Sequence, residues 1–246
     1  PAVYARAAAL PGVEAVSVAV HIGSQLTDLT PFRTAFRHVA GLVRRLRDDG
    51  HDIRRLDLGG GLGITYQSET PPTPADYAAM VRETVGDLGC SLIFEPGRAL
   101  VGRAGVLATR VVYTKTTGTR GFVIVDAAMN DLLRPALYDA WHEIRPVREP
   151  APGTAAVPVD IVGPVCETGD TFALGRPLPP LAADDIVVIE NAGAYGAVMS
   201  SAYNTRPPAP EVMVNGGKFA IVRPRQTVDD LLAQERFADW QPETVQ

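Results

Sequence analysis

The sequence predicts an α/β part with a parallel sheet, followed by an all-β part that forms an antiparallel barrel or sandwich. In the first hundred residues, short apolar runs alternate with stretches of helical periodicity, which is typical of a parallel sheet. Beyond them, short β-rich runs are separated by Pro, Gly and Asp. The predicted boundary divides residues 1–102 from residues 103–246.

Three apolar runs predict the strands of the first part. They cover residues 13–24, 53–63 and 91–98, and each ends in a polar or glycine-rich turn. Ligand groups gather at the carboxyl ends of parallel strands. The groups that fall there are His21, the glycine-rich segment 59–63 and the segment 95–98. We therefore expect a ligand site at this edge of the sheet.

Helical periodicity predicts two helices between these strands. Thr30, before Pro31, is the expected N-cap of the first helix, and Gly50 is its expected C-cap. The second helix falls within residues 73–89. The apolar positions that define the first helix are Phe32, Phe36, Val39, Leu42, Val43 and Leu46.

The β-rich part contains one strong hairpin signal and a closing helix. Asn215-Gly216 lies between two β-rich runs and predicts the hairpin. The closing helix is expected over residues 227–240, with Thr227 as its cap and Asp230 in its first turn. The β-rich runs cover residues 105–116, 120–128, 156–163, 185–193, 211–215 and 218–224.

The composition and charge of the chain indicate which kinds of binding partner can be excluded. A net charge of −5 and a pI near 5.4, without a long basic run, argue against nucleic acid or an anionic membrane. No apolar run reaches the roughly 18 residues that a membrane-spanning helix needs. Cys90 and Cys166 are too few for a disulfide framework, so we expect a cytoplasmic protein that acts on a small molecule. The chain begins at Pro1 within an Ala-rich stretch, so an upstream part is expected to be missing.

The segment LDLGGGLGITY matches neither of two common nucleotide motifs. The dinucleotide fingerprint needs glycine where Ile64 or Tyr66 stands, and no Gly-Lys-Ser/Thr follows for a P-loop. Successive backbone N–H groups at a strand end can still cradle a phosphate. The alternative is that these glycines only turn the chain.

Other motifs are ambiguous when each is taken alone. Glu95 in FEPGR could pair with Arg98, and His21 in HIGSQ could be a packed or hydrogen-bonded residue. The four histidines lack metal-ligand spacing, so no metal is expected. Ser24 lacks the Gly-x-Ser-x-Gly setting of a nucleophile.

Six segments taken in order are far more specific. They are HIGSQ, LDLGGGLG, EPGRALVG, DAAMNDLLRPALYDAWHEI, GPVCETGDTFA and NAGAYGAVMSSAYNTRPPAPEVMVNGG. In this order the chain resembles the barrel-type pyridoxal-phosphate decarboxylases of basic amino acids, from about residue 13 to the C-terminus. The resemblance implies the C-terminal part of a PLP-binding TIM-type (β/α)8 barrel, holding its last three βα units, followed by a β-barrel or sandwich domain. Within the family, the chain is most similar to members that convert meso-2,6-diaminopimelate to L-lysine and CO2.

The resemblance implies that pyridoxal 5'-phosphate is the cofactor. His21 would stack on the pyridine ring, and Glu95 would keep the pyridine nitrogen protonated, which makes the ring an electron sink. The other implied cofactor-binding residues are Ser24, Gly60, Gly61, Pro96, Gly97, Arg98 and Tyr195.

The resemblance also implies the substrate site and a homodimer with shared active sites. Cys166 would protonate the α-carbon after CO2 leaves, and Glu167 would bind the distal ammonium; both would reach the neighbouring subunit. The alternative for Arg134 is a surface pair with Asp131, and the alternative for Tyr195 is a core aromatic. The implied substrate-binding residues are Arg98, Arg134, Tyr138, Glu167 and Tyr195.

One departure bears on activity. The family's Schiff-base lysine lies on an early barrel strand, whereas Lys115 and Lys218 are the only lysines and both fall in the β-rich part. We therefore expect an active full-length parent and a chain that is inactive alone. Two alternatives stay open: a decarboxylase of another basic amino acid or a carboxylated polyamine, and a non-catalytic regulatory homologue.

Overall fold

The computed structural model describes residues 1–240. Its internal contacts divide the chain into two compact units, Pro1–Ala104 and Gly105–Gln246. We call them the α/β unit and the β-rich unit.

The α/β unit is built on a three-stranded parallel sheet, which confirms the predicted strand arrangement. The middle strand pairs with both others, so that Leu56 lies opposite Val18 and Leu92. The elements are, in chain order, α1 (Ala2–Ala8), β1 (Ser17–Ala19), α2 (Thr30–Asp48), β2 (Arg55–Asp57), α3 (Pro74–Val85), β3 (Ser91–Ile93) and α4 (Gly97–Val101).

Helices α2 and α3 cover this sheet with their apolar faces. The predicted apolar positions of α2 are buried except Leu42, which is half-buried against the same core. From α3, Met80 and Val81 join this core, and Leu56 and Leu58 join it from β2 and the residue that follows it. Burying these side chains provides the main stabilisation of the sheet.

The caps of these helices differ in part from the prediction. Thr30 is the first helical residue of α2, and its backbone N–H and hydroxyl donate to Asp28, so the prediction of Thr30 as N-cap was wrong. Gly50 follows the helix at φ +89° and donates to the Arg47 carbonyl. Helix α3 begins with a reciprocal capping box between Thr73 and Asp76.

The β-rich unit contains a six-stranded mixed sheet in the order β6-β9-β4-β5-β7-β8, and a separate hairpin, β10-β11. The prediction missed β6 and β8. Its elements are β4 (Leu107–Thr117), β5 (Arg120–Val125), α5 (Arg134–Tyr138), β6 (Ile144–Pro146), β7 (Val157–Val162), β8 (Thr171–Leu178), β9 (Ile186–Ile189), β10 (Glu211–Asn215), β11 (Lys218–Arg223) and α6 (Val228–Leu232).

One pairing in this sheet is not antiparallel. Strand β5 pairs with β7 in parallel, with Phe122 opposite Asp160, whereas the other pairings of the sheet are antiparallel. The connection between them, residues 126–156, contains α5 and β6. This long connection allows the chain to return and pair in the same direction.

The hairpin and the closing helix refine two further predictions. Asn215 pairs with Lys218, so the two-residue loop is Gly216-Gly217, and the predicted hairpin is shifted by one residue. Thr227 and Asp230 form the expected capping box, but α6 ends at Leu232, eight residues before the predicted end at Trp240.

Candidate active site

Three strand-end segments meet at the carboxyl edge of the α/β unit. Val20, just after β1, donates to the Asp57 carbonyl at 2.9 Å, and Leu58, after β2, donates to the Ile93 carbonyl at 3.0 Å. The Glu95 N–H then donates to the Gly59 carbonyl at 2.8 Å. These bonds extend the parallel sheet into its loops and bring His21, the glycine segment and Glu95 to one edge.

At this edge, neighbouring backbone approaches so closely that only glycine fits at two positions. A Cβ on Gly60 would lie 2.1 Å from the Glu95 carbonyl oxygen, and one on Gly61 would lie 2.4 Å from the Gly23 carbonyl oxygen. Gly61 also has φ +102°, which L side chains rarely adopt. The interpretation of these glycines as simple turn residues is therefore insufficient.

His21 is held by this glycine segment. The Gly60 N–H donates to His21 Nδ1 at 3.3 Å, which places the proton of the neutral imidazole on Nε2. The side chain is exposed rather than packed, so the hydrogen-bonded alternative holds and the packed one does not. The hydrogen bond therefore sets the orientation of an exposed ring.

A second set of contacts connects the loop after β1 with the loop after β2. Arg98 donates to Ser24 Oγ at 3.2 Å and to the Tyr66 hydroxyl, and its guanidinium lies 5.5 Å from the Tyr66 ring centroid. Gln25, at φ +59°, makes both hydrogen bonds of the Ile64 backbone through its side-chain amide. The family resemblance pointed to Ser24 and Arg98, whereas nothing in the sequence predicted the roles of Gln25 and Tyr66.

Cys166 lies in the loop that connects β7 to β8. Its thiol is exposed, and so is the neighbouring Glu167. The Glu167 N–H donates to the Val165 carbonyl at 2.8 Å, and its carboxylate accepts from the Gly169 N–H at 3.2 Å. The loop therefore presents a thiol and a carboxylate side by side to solvent.

Asp170 organises this cysteine loop from within. Its two carboxylate oxygens accept the N–H groups of Met129 and Val165, each at 2.7 Å, and the side chain is buried. A Cβ on Gly163 would lie 2.3 Å from the same carboxylate, which explains the glycine there. Burial raises the pKa of Asp170, while the two backbone hydrogen bonds and the positive charge of Arg206 lower it in part.

Helix α5 carries Arg134 and Tyr138 next to the cysteine loop. A Cβ on Gly169 would be 3.8 Å from the Ala136 Cβ, so the helix and the loop are neighbours. Arg134 is only 6% exposed, which contradicts the alternative of a surface pair with Asp131. Its Nη1 lies 2.7 Å from His142 Nε2. Tyr138, in contrast, is 62% exposed.

Tyr195 has an unusual backbone conformation. It has φ +58°, and its side chain is 40% exposed, so the alternative of a core aromatic is wrong. A bulky residue in the left-handed region costs free energy, and such residues occur at turns and at strained functional sites. The following Gly196 has no space for a side chain, because a Cβ would lie 2.3 Å from the Ala192 carbonyl oxygen.

A match to a known family covers most of the chain. Residues 6–193 match the family model described as pyridoxal-dependent decarboxylase, C-terminal sheet domain. The chain belongs to the pyridoxal-dependent decarboxylase family.

Within this decarboxylase family, curated relatives share about half of their aligned residues with the chain. A diaminopimelate decarboxylase of Pseudomonas aeruginosa is 53% identical over 235 residues, which is 95% of this chain and 56% of the relative. The diaminopimelate decarboxylase of Zymomonas mobilis is 48% identical over 96% of this chain and 56% of its own length. The chain therefore spans little more than half the length of these relatives.

Solved structures of family members share the fold. A crystal structure of diaminopimelate decarboxylase from Helicobacter pylori complexed with L-lysine has a TM-score of 0.88 at 42% identity, over 94% of this chain and 57% of that one. A crystal structure of AQ1208 from Aquifex aeolicus has a TM-score of 0.91 at the same identity and the same coverage. These matches confirm the predicted fold class, a part of a barrel followed by a β domain.

Further features of this family member concern lysines, metals and membranes. Lys115 lies on β4, 5.4 Å from the Phe122 ring centroid, and Lys218 lies on β11, so both lysines belong to the β-rich unit. Within residues 1–240, no group of three or more His, Cys, Asp or Glu side chains is arranged to hold a metal ion. Among the helices of the same residues, none combines the length and apolar character needed to cross a membrane.

Proposed function

We propose that the whole protein catalyses the pyridoxal-phosphate-dependent decarboxylation of meso-2,6-diaminopimelate to L-lysine and CO2, the last step of lysine biosynthesis, in the cytoplasm. The observation that carries this proposal is the buried guanidinium of Arg134 on α5, beside the cysteine loop, since a guanidinium suits a distal carboxylate. The names and similarity of the relatives support it, since they match 95–96% of this chain. The two cysteines, without a disulfide framework, support the cytoplasm.

The edge of the α/β unit fits a cofactor with an aromatic ring and a phosphate. Gly60 and Gly61 belong to a run of glycines at a strand end, where successive backbone N–H groups can bind a phosphate. His21 offers an exposed ring with a set orientation, and Ser24 and Arg98 offer a hydroxyl and a cation. We assign the phosphate to Ser24, Gly60, Gly61 and the segment Glu95–Arg98, with a contact from Tyr195.

Glu95 has a separate role in this proposal. Pyridoxal phosphate, when bound, supplies an electron sink for the electron pair left by CO2. The Glu95 carboxylate, exposed at the strand-end edge, would keep the pyridine nitrogen protonated. His21 would stack on the ring and limit its tilt.

The substrate residues are assigned by charge. Diaminopimelate carries a second amino-acid group, whose carboxylate suits the guanidinium groups of Arg134 and Arg98. Glu167 would bind the distal ammonium, and Tyr138 and Tyr195, both exposed residues, would contribute hydrogen bonds. A substrate with a bare distal ammonium would favour an acid in place of Arg134.

Cys166 is the proposed proton donor. After the bond between the α-carbon and the carboxylate breaks, the thiol would protonate the α-carbon from one face. Its exposure on the cysteine loop supports a role toward a second copy of the chain, so we propose a homodimer in which Cys166 and Glu167 act on the neighbouring subunit's substrate. The proposed activity belongs to the full-length gene product, because Lys115 and Lys218 both lie on strands of the β-rich unit, whereas the family's Schiff-base lysine lies on a barrel strand.

The proposal is tested with the full-length gene product and added pyridoxal phosphate. We expect release of CO2 and L-lysine from meso-diaminopimelate, and no comparable release from ornithine, arginine or a carboxylated polyamine. Preference for one of those substrates would overturn the substrate assignment. Cofactor binding without turnover of any of them would point instead to a regulatory homologue.

Two cysteine variants test the proton donor. Cys166→Ala should lower turnover by about 10²-fold or more while the visible absorbance of bound cofactor is unchanged. Cys90→Ala is the matched control, because Cys90 packs beside the core of the α/β unit and should leave turnover near the wild-type value. Equal turnover of wild type and Cys166→Ala would remove the thiol from the mechanism.

A further inference from the structure

His142 is the most deeply buried titratable group near the proposed substrate residues. It is fully buried, and its Nε2 lies 2.7 Å from Arg134 Nη1. Its other ring nitrogen, Nδ1, lies 2.7 Å from the Glu190 carbonyl oxygen. The imidazole therefore connects the proposed substrate arginine to the backbone just after β9.

Arg134 and Glu190 together determine the tautomer of this imidazole. A guanidinium can only donate hydrogen bonds, so Nε2 accepts from Arg134. A carbonyl oxygen can only accept, so Nδ1 carries the proton and donates to Glu190. Both contacts require the same neutral form of the imidazole. If the ring flipped, its N–H would face the Arg134 donor and its bare nitrogen would face the Glu190 carbonyl oxygen.

The backbone of His142 is also held in place. Arg176 donates to the His142 carbonyl at 2.8 Å, and its guanidinium lies 3.4 Å from the Trp141 ring centroid. On the other side, the Glu190 N–H donates to the Glu143 carbonyl at 2.8 Å, where β6 pairs with β9. The sheet therefore holds the His142 imidazole in position, and the imidazole can in turn hold the Arg134 guanidinium.

We propose that His142 is a positioning residue that orients the Arg134 guanidinium toward the distal carboxylate of the substrate. This inference rests on the proposed function and deepens it. A carboxylate at the same place would also orient Arg134, but it would bring a negative charge next to the guanidinium. A neutral imidazole supplies the hydrogen bond without that charge, which suits an arginine that must bind an anion.

Substituting His142 by Gln or by Asn tests its two side-chain contacts separately. The Gln side chain can place its Oε1 near the position of Nε2, so His142→Gln keeps an acceptor for Arg134. The Asn side chain reaches only the position of Nδ1, so His142→Asn keeps the donor to Glu190 and loses the contact with Arg134. Both variants are made in the full-length protein loaded with pyridoxal phosphate.

Inhibition by L-lysine and by 1,5-diaminopentane gives the decisive measurement. L-lysine carries the carboxylate that Arg134 would bind, and 1,5-diaminopentane lacks it. In His142→Asn, we expect the inhibition constant of L-lysine and the KM for diaminopimelate to rise about 10- to 100-fold. The inhibition constant of 1,5-diaminopentane should stay within about twofold, and His142→Gln should recover most of the lost affinity for L-lysine.

The outcomes separate this inference from the proposed function. If the wild-type protein does not decarboxylate diaminopimelate, the proposed function fails. If it does, but His142→Asn weakens both inhibitors equally or neither, the positioning role is overturned. The same holds if the Gln and Asn variants are equally impaired for L-lysine.

A measurement on the wild-type protein covers the case in which His142→Asn does not fold. In ¹⁵N-histidine NMR spectra, the His142 signals should show a proton on Nδ1 and a hydrogen-bonded Nε2. Adding L-lysine should shift the Nε2 signal, because Arg134 then shares its donors with a carboxylate, whereas 1,5-diaminopentane should not. An Nε2 signal that is insensitive to L-lysine would overturn the inference.

Discussion

The two units hold their functional side chains by different means. In the α/β unit, the edge that carries His21 and Glu95 is built from backbone, and Gly60 and Gly61 allow neighbouring loops to approach within van der Waals contact. In the β-rich unit, the residues near Cys166 and Arg134 are held by buried polar side chains, Asp170 and His142. The first arrangement depends on glycines that lack a side chain. The second depends on the hydrogen bonds that buried side chains make.

This difference determines which substitutions should be harmful. At the glycines, adding one methyl group creates a clash that no side-chain rotation relieves. At the buried polar residues, a substitution of nearly identical size is harmful if it changes a donor into an acceptor or the reverse. Two experiments test this contrast directly, and two further experiments test smaller effects in the two units.

The largest effect is expected for Gly60→Ala. The new Cβ would lie 2.1 Å from the Glu95 carbonyl oxygen, so the strand-end loops must separate. We expect a loss of about 3 kcal/mol in the free energy of unfolding and a loss of bound pyridoxal phosphate, measured by thermal unfolding and visible absorbance. Gly41→Ala on α2 is the control, because its Cβ would meet no atom within 4 Å. Wild-type cofactor affinity in Gly60→Ala would contradict the backbone explanation.

Asp170→Asn should give the next largest effect. The amide has one acceptor oxygen where the carboxylate accepts two backbone N–H groups, so either Met129 or Val165 would face an NH₂ group. We expect a loss of about 2 kcal/mol in stability, together with faster hydrogen exchange at these two amides and lower turnover. Asp184→Asn is the matched control, because the Asp184 side chain is 81% exposed and the change should cost less than about 0.5 kcal/mol. Unchanged exchange at both amides would show that Asp170 does not organise the loop.

The two capping boxes provide a smaller test. Thr73→Ala removes the cap of α3, a 12-residue helix with buried Met80 and Val81, and should cost about 1 kcal/mol. Thr227→Ala removes the same cap from α6, a five-residue helix without buried residues, and should leave the global unfolding transition unchanged. Thermal unfolding of both variants measures the difference. Equal losses would mean that α6 contributes to the cooperative core.

The smallest effect is expected for Asp131→Asn and depends on pH. Burial raises the pKa of Asp131, so the folded protein binds this proton more tightly than the unfolded chain. Its contribution to stability is therefore fully present below the ordinary pKa of about 4 and is lost as pH rises through the raised value. The amide does not titrate, so the melting temperature of the variant relative to wild type should rise by about 1–2 °C between pH 4 and pH 7. A constant difference would contradict the raised pKa.

Local sequence signals predicted the α/β unit better than the β-rich unit. Periodicity located the buried face of α2, and short apolar runs ending in polar or glycine-rich turns located β1–β3. Periodicity did not reveal the parallel pairing of β5 with β7, since this depends on a contact between distant segments. Strand β8 was missed because Gly175 and Pro177 interrupt its pattern.

Some candidate site residues were also predictable from the local sequence, and others were not. Glycines and charged residues at strand ends are visible in the sequence, and so are the segments that carry the family resemblance. The supporting residues Gln25, Tyr66, Asp170 and His142 have no local signature, because their roles come from partners 5 to 48 positions away. For Asp170, the only signal in the sequence was its position at the end of the cysteine loop. Nothing in the local sequence indicated that this carboxylate is buried.

The parallel pairing of β5 with β7 has a consequence for the order of folding. The β4-β5 hairpin joins at a tight turn near Gly118, so it can form early, whereas β5 meets β7 only after residues 126–156 have closed a long loop. Arg134 and His142 both lie on that loop. We therefore expect the proposed substrate contacts of Arg134 to form late, as a property of the completed sheet.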